Sequence, residues 1–205
     1  METVPLGGRM VSRLGLSVSG MQVARLQGTP GIHGRAVAAV RRAVELGVDV
    51  IEVPLPSGPC ADVVREALRV DSAVREAFIV AHLTAAVPDL SSVRLRLGGR
   101  TPDLLLADDH LLDDMAGWPL RLGAVVGPHS PQPVFRPLAA LRGPYPARRR
   151  LVEWCERFEI PYLAPSPAIL AAGRMTIALA TPPGLREVED QLGPGLPTPP
   201  AVGPG

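Results

Sequence analysis

Three ionisable side chains in the first part of the chain stand at or near the end of an apolar segment. Glu52 lies within VDVIEVPL, His82 lies within FIVAHL, and Asp108 directly follows PDLLLA, with His110 two residues further on. If these segments are strands of a parallel barrel, their carboxyl ends share one mouth and the side chains can converge there. An imidazole that titrates near neutrality beside an orienting carboxylate is suited to acid–base chemistry. His82, oriented by Glu52 or Asp108, is therefore the candidate pair.

The same side chains are open to two other interpretations. Carboxylates and imidazoles can ligate a metal ion, but the order Glu, His, Asp, His lacks a local ligand signature such as HExxH. We therefore predict no metal site. Alternatively, these residues are polar groups that drifted into a mouth without a catalytic role and satisfy one another's hydrogen bonds.

The elements that must position these side chains are short apolar strands that alternate with helices. Continuous apolar strands separated by helices favour a parallel sheet that is covered on its outside. Eight such strands predict a closed (β/α)8 barrel, whereas seven would suit an open doubly wound sheet almost as well. The eight candidate strands span 13–19, 48–55, 78–83, 103–107, 122–126, 134–138, 160–164 and 176–180. Helices are predicted over 33–47, 60–70 and 147–158.

The outer layer of this barrel is predicted to be thin around the fourth, fifth and sixth strands. The connections there are short, and residues 128–133 (PHSPQP) cannot hold a helix because three of the six are proline. A (β/α)8 barrel usually needs about 250 residues, and this chain has 205. We predict one shortened barrel domain over residues 1–192, with thin or missing helices in that region. Residues 193–205 (GPGLPTPPAVGPG) are predicted to form a disordered tail rich in proline and glycine.

Composition excludes several classes of partner. The formal net charge is +1, so no bulk field attracts the chain to nucleic acid or to an anionic membrane. The chain contains no lysine, so no lysine side chain is available to form a Schiff base.

Cys60 and Cys155 lack CxxC spacing and are predicted to be buried, reduced thiols. Because neither a signal-peptide pattern nor a membrane-spanning apolar run is found, we expect a cytoplasmic protein.

Taken in order, the segments resemble those of aldo-keto reductases. Residues 6–16 (LGGRMVSRLGL) are similar to the family's LGxTGLxVSxLGLG, and residues 37–53 (VAAVRRAVELGVDVIEV) are similar to AIRRALELGINFIDT. Further along, residues 151–167 (LVEWCERFEIPYLAPSP) resemble ELLxxCREHGIxVIAYSP. The resemblance extends over most of residues 6–192. It implies a (β/α)8 barrel and NADPH-dependent carbonyl reduction, here in a degenerate, shortened member of the family.

The resemblance also locates the family's four catalytic positions. An Asp, a Tyr, a Lys and a His at the ends of the second, third and fourth strands fall on Glu52, Ser57, His82 and Asp108, so that all four are replaced. The Tyr is the family's proton donor. The serine hydroxyl in its place is far less acidic than a phenol, whose pKa is about 10, and makes a poor general acid near neutral pH.

The cofactor positions implied by the resemblance are replaced as well. The Ser–Asn pair that grips the carboxamide, the strand-six Gln and the Tyr that stacks on nicotinamide have apolar counterparts here, and residues 180–183 lack the arginine that meets the adenosine phosphate. The replaced positions are Val125, Val126, Phe135 and Leu138. Only Ser166 keeps the family's residue. We therefore expect no cofactor, or NADPH if the family activity survives.

Three functions follow as expectations, and whether the chain is an enzyme stays open. The first is a non-catalytic barrel that binds a protein partner, a second copy of itself or a small molecule, because uncovered apolar strand faces need a cover. The second is an active NADPH-dependent oxidoreductase of the aldo-keto reductase family. The third is a repurposed acid–base enzyme that uses His82.

Overall fold

Eight parallel strands form the closed barrel of this protein. A computed structural model describes residues 2–18, 30–112, 115, 117–126, 138–141, 145–164 and 173–180. The barrel strands are β3 (Leu14–Ser17), β4 (Val50–Leu55), β5 (Phe78–Leu83), β6 (Leu104–Asp108), β7 (Leu122–Val126), β8 (Ala139–Leu141), β9 (Tyr162–Ala164) and β10 (Thr176–Ala180). They pair in chain order, and β10 pairs in parallel with both β9 and β3. The prediction of a (β/α)8-type barrel is confirmed, and the open doubly wound sheet is wrong.

Strands β5, β7 and β10 have the predicted bounds, and the bounds of β3, β4 and β6 differ from the predicted ones by one or two residues. The ninth strand begins at Tyr162 and not at residue 160, because the Ile160 amide donates to the Cys155 carbonyl at the end of the preceding helix and Pro161 has no amide proton to donate. The predicted strand over 134–138 lies mostly outside the described residues. The observed sixth barrel strand, β8, begins at Ala139, directly after the predicted segment.

Helices pack around the barrel and bury one side each. The first, α1 (Ile32–Glu45), buries Ala36, Val37, Val40 and Ala43, which recur at helical spacing. It ends before Gly47, whose φ of 86° suits glycine. The other helices are α2 (Gly58–Val70), α3 (Ser72–Glu76), α4 (Leu90–Arg96), α5 (Asp109–Leu112) and α6 (Tyr145–Arg157).

The outer layer is thin on the predicted side of the barrel. The connection from β5 to β6 holds only the seven residues of α4, and the connection from β6 to β7 holds only the four residues of α5. Strand β6 is nevertheless covered, since Leu105 and Ala107, which alternate with its inward side chains, are fully buried. Met115 and Trp118, from the loop after α5, belong to the same packed core.

An antiparallel hairpin covers the amino-terminal end of the barrel. It consists of β1 (Thr3–Leu6) and β2 (Arg9–Ser12). Its turn lies against the first residue of β5, since a Cβ placed on Gly7 would be 3.0 Å from Phe78 Cζ. The guanidinium of Arg9 also stacks over the Phe78 ring at 5.9 Å. The opposite end of the barrel carries the predicted site. Within the described part of the chain, no helix has the length and apolar content needed to cross a bilayer.

Candidate functional site at the barrel mouth

Strand register places Ser17, Glu52 and His82 on the same side of three adjacent strands. Ser17 pairs with Glu52, and Pro54, two residues after Glu52, pairs with His82. Because side chains alternate along a strand, all three face the barrel interior. Gly15, two residues before Ser17, lies on the same face, where a Cβ would be 2.9 Å from the side chain of its β10 partner Leu179.

These three side chains form a continuous hydrogen-bonded chain. The Ser17 hydroxyl donates to Glu52 Oε2 at 2.6 Å, and Glu52 Oε1 lies 3.0 Å from His82 Nδ1. Glu52 is buried, with 3% of its surface exposed, whereas the His82 side chain is 15% exposed. A carboxylate only accepts hydrogen bonds, so His82 Nδ1 is the donor in this contact.

Backbone contacts near the strand ends fix this arrangement. The Val18 amide donates to the Glu52 carbonyl at 3.0 Å, which extends the pairing of β3 and β4 beyond Ser17. The Thr84 amide and hydroxyl both donate to the Leu55 carbonyl, at 2.8 and 3.0 Å. The strands that carry Glu52 and His82 are therefore held in register up to the mouth.

Ser57 and Cys60 lie beside this chain of hydrogen bonds. Ser57 is the residue that precedes α2, and its side chain makes no capping bond to the helix. Burial raises the pKa of the Cys60 thiol; a hydrogen bond with Ser57 opposes this, and the charge of Glu52 adds to it. Ser57 therefore contacts the Cys60 thiol, which stays protonated at neutral pH and makes a poor nucleophile.

The other predicted site residues fall in different places. Asp108 is the half-buried last residue of β6, and its register puts it on the same side of the sheet as His82, one strand further from Glu52. His110 lies in α5, and the structure does not describe its side chain. Ser166 and Phe135 are outside the described residues.

The remaining cofactor positions are apolar. Val125 and Val126 end β7, and Leu138 is fully buried just before β8. Across the part of the chain that the structure describes, no three His, Cys, Asp or Glu side chains gather so as to hold a metal ion.

Ser17 is the member of the site that sequence reasoning missed. Ser17 could have been identified as a candidate from the sequence, because it is a polar residue near the end of the first candidate strand. In addition, the family segment ends LGLG, whereas this chain reads LGLS over residues 14–17. A serine in place of that glycine, close to two replaced catalytic positions, is the signal that identifies it.

The fold is shared with solved aldo-keto reductases. The glycerol dehydrogenase AKR11B4 from Gluconobacter oxydans superposes with a TM-score of 0.71 at 14% identity, covering 96% of this chain and 91% of that one. The holo form of the aldo-keto reductase AKR11C1 from Bacillus halodurans gives 0.68 at 11% identity, over 97% and 93%. An aldo-keto reductase from Klebsiella pneumoniae, solved in complex with NADPH, gives 0.58 at 18% identity, over 85% and 70%.

No family model matches the sequence, and no curated protein matches it significantly. The superpositions on solved structures confirm the resemblance to aldo-keto reductases at the level of the fold.

Proposed function

We propose that this chain is a divergent aldo-keto-reductase barrel that has lost NADPH-dependent carbonyl reduction and binds a small molecule at its mouth. The observation that carries the proposal is the bonded pair of Glu52 and His82, which stands where the resemblance implies a catalytic Asp and Lys. A cytoplasmic location belongs to the same proposal, in keeping with two free, buried thiols.

The charges at the mouth oppose carbonyl reduction. Hydride transfer to a carbonyl leaves negative charge on its oxygen, which needs positioned donors or a cation. The strand-end side chains that the structure describes include two carboxyl groups, Glu52 and Asp108, and no lysine exists anywhere in the chain. Negative charge that develops beside carboxylates is repelled.

The donor set does not fit the nicotinamide cofactor either. Valine side chains, here Val125 and Val126, offer no hydrogen bond to a carboxamide. Leu138 is fully buried and has no aromatic ring to stack on nicotinamide. Each hydrogen bond lost to the neutral carboxamide is worth about 0.5–1.5 kcal/mol, and we therefore propose that NADPH does not bind usefully.

The replaced residues satisfy one another's hydrogen bonds, as a maintained site requires. A buried polar group that lacks a partner costs about 1–3 kcal/mol, yet both Glu52 oxygens are satisfied by side chains from neighbouring strands. The His82 side chain is 15% exposed, so that part of it reaches the surface of the mouth.

A screen of small molecules by thermal shift tests the proposal. Any ligand of the wild-type mouth is expected to lose its stabilising effect in His82→Asn, which keeps a donor toward Glu52 but removes Nε2. The matched control is His33→Asn, on the exposed face of α1, which should leave the shift intact. NADPH-dependent reduction of carbonyl compounds by the purified chain would contradict the proposal.

A second candidate role is binding of a protein partner or a second copy on the thin side of the barrel. It is favoured by Leu95, which is 77% exposed on the short helix α4. If it holds, sedimentation velocity shows an assembly that Leu95→Arg disrupts and Arg94→Ala does not. A monomer at every concentration, for both wild type and Leu95→Arg, would contradict self-association, and failure of Leu95→Arg to weaken a captured partner would contradict a heterologous one.

A further inference from the structure

Strand β10 closes the barrel, and the ladders on its two sides are short. Three residue pairs join it to β3 and three join it to β9, whereas six pairs join β4 to β5. A segment with fewer contacts opens locally at a lower free energy than the rest of a fold. We propose that β10 is a releasable closing strand, kept in the barrel wall by a latch that Glu156 and Arg13 form at its amino-terminal end.

Glu156 forms the first half of the latch from the outer helix α6. Its Oε2 accepts a hydrogen bond from the Arg174 amide at 3.0 Å, and its Oε1 accepts one from the Met175 amide at 2.9 Å. The carboxyl group packs so closely on the chain that a Cβ on Gly173 would collide with Oε1. Both oxygens of one carboxylate therefore hold the turn that leads into β10.

Arg13 forms the second half of the latch from the residue before β3. Its guanidinium donates to the Gly173 carbonyl, and its Nε donates to the Thr176 carbonyl at 3.4 Å. The Arg13 carbonyl in turn accepts from the Ala178 amide at 2.8 Å. The amino-terminal end of β10 is thus held from the β3 side as well as from α6.

Breaking the latch should act on β10 before it acts on the whole fold. Hydrogen bonds to a charged group contribute more than neutral ones, and Glu156 makes two of them to the same turn. Strand β5 depends on other contacts, since it pairs over six residues with β4 and over four with β6, and Ile79, Val80 and Ala81 are fully buried. Loss of the latch therefore lowers the free energy of opening β10 and leaves that of opening β5 unchanged.

Release of β10 changes the mouth through β3. Strand β3 lies between β10 and β4 and carries Ser17, whose hydroxyl donates to Glu52 on the β4 side. When β10 leaves, β3 becomes an edge strand with unpaired backbone groups, and the barrel wall is open beside Ser17. The latch therefore determines whether the ring of strands around the mouth is closed. This device does not depend on the binding of a small molecule there.

Amide hydrogen exchange of the full chain, followed by mass spectrometry, tests the latch. Peptides that cover residues 175–180 report on β10, and peptides that cover residues 78–83 report on β5. In the wild type, β10 is expected to exchange faster than β5. Glu156→Gln leaves one amide of the turn without an acceptor, so exchange in β10 should become about tenfold faster or more, while exchange in β5 stays the same.

Two further variants make the test specific. Gly173→Ala keeps the charge of Glu156 but displaces its carboxyl group, and should speed exchange in β10 as Glu156→Gln does. Glu153→Gln is the matched control, because Glu153 is 62% exposed and pairs with Arg149 on its own helix; its exchange should equal that of the wild type. Wild-type β10 that exchanges no faster than β5 would overturn the inference, as would latch variants that speed both strands equally or neither.

Discussion

Glu52 accepts hydrogen bonds from two side chains at once. Its removal should therefore lower the stability of the fold as well as change the mouth. In Glu52→Ala the Ser17 hydroxyl and the His82 Nδ1 proton both lose their acceptor. We expect the free energy of unfolding, measured by urea denaturation, to fall by about 1–3 kcal/mol. Glu45→Ala is the control, because Glu45 is 46% exposed and pairs with Arg42 one turn away; its effect should stay within about 0.5 kcal/mol. Equal effects would contradict the assigned role of Glu52.

Cys155 should make stability fall in alkaline solution. Burial raises the pKa of its thiol from 9.0 to about 12, with a smaller contribution from the charge of Glu156. Because the pKa is higher in the folded state, the stabilisation is complete below the unfolded pKa and is lost as pH rises towards the folded pKa. The free energy of unfolding should therefore decline between pH about 9 and about 12, and the decline should be shallower in Cys155→Ala. Parallel curves for the two proteins would contradict this account.

For individual residues, the sequence identified candidate site residues but not the contacts between them. Glu52 and His82 were identifiable from residue type and from their places on apolar segments. The choice between Glu52 and Asp108 as the orienting carboxylate depends on strand register, which places Glu52 within bonding distance of Nδ1. Ser17 comes from a strand 35 residues away along the chain, and no local pattern signals such a contact.

Among the elements, β7 is closely packed around Gly123 inside the barrel. An added Cβ there would lie 2.9 Å from the Leu138 carbonyl oxygen and 3.1 Å from side-chain atoms of Leu104 and Leu106. Gly123→Ala should therefore destabilise the fold by about 1–3 kcal/mol through overpacking. Gly34→Ala in α1 meets nothing within 4 Å and should be neutral or stabilising, by up to about 1 kcal/mol. Thermal unfolding of both variants checks the contrast, and equal melting temperatures would contradict it.

Element prediction succeeded where burial and local pattern agree. Strands β5, β7 and β10 match their predicted bounds because mainly apolar residues reach from end to end. The short helices α3, α4 and α5 were not predicted, since helices of four to seven residues lack the length to show a period. Only a cap marks α4, where the Asp89 side chain accepts from the Ser92 amide at 2.7 Å.

For the whole molecule, closure of the barrel could not be read from hydrophobic pattern alone. Seven or eight apolar strands satisfy the same alternation, and the pairing of β10 with β3 decides between an open and a closed sheet. The ordered resemblance to aldo-keto reductases favoured closure, and the superposition on solved members agrees at the level of fold. Function does not follow from that agreement, because one barrel supports many chemistries through its strand ends.

Titration of NADPH into the purified chain, followed by cofactor fluorescence, tests the central claim most directly. If the mouth has lost the groups that hold the cofactor, no saturable change appears up to about 1 mM NADPH, an affinity weaker than about −4 kcal/mol. Saturable binding together with NADPH-dependent reduction of a carbonyl compound would show that the reductase function persists despite Glu52 and His82, and would contradict the account.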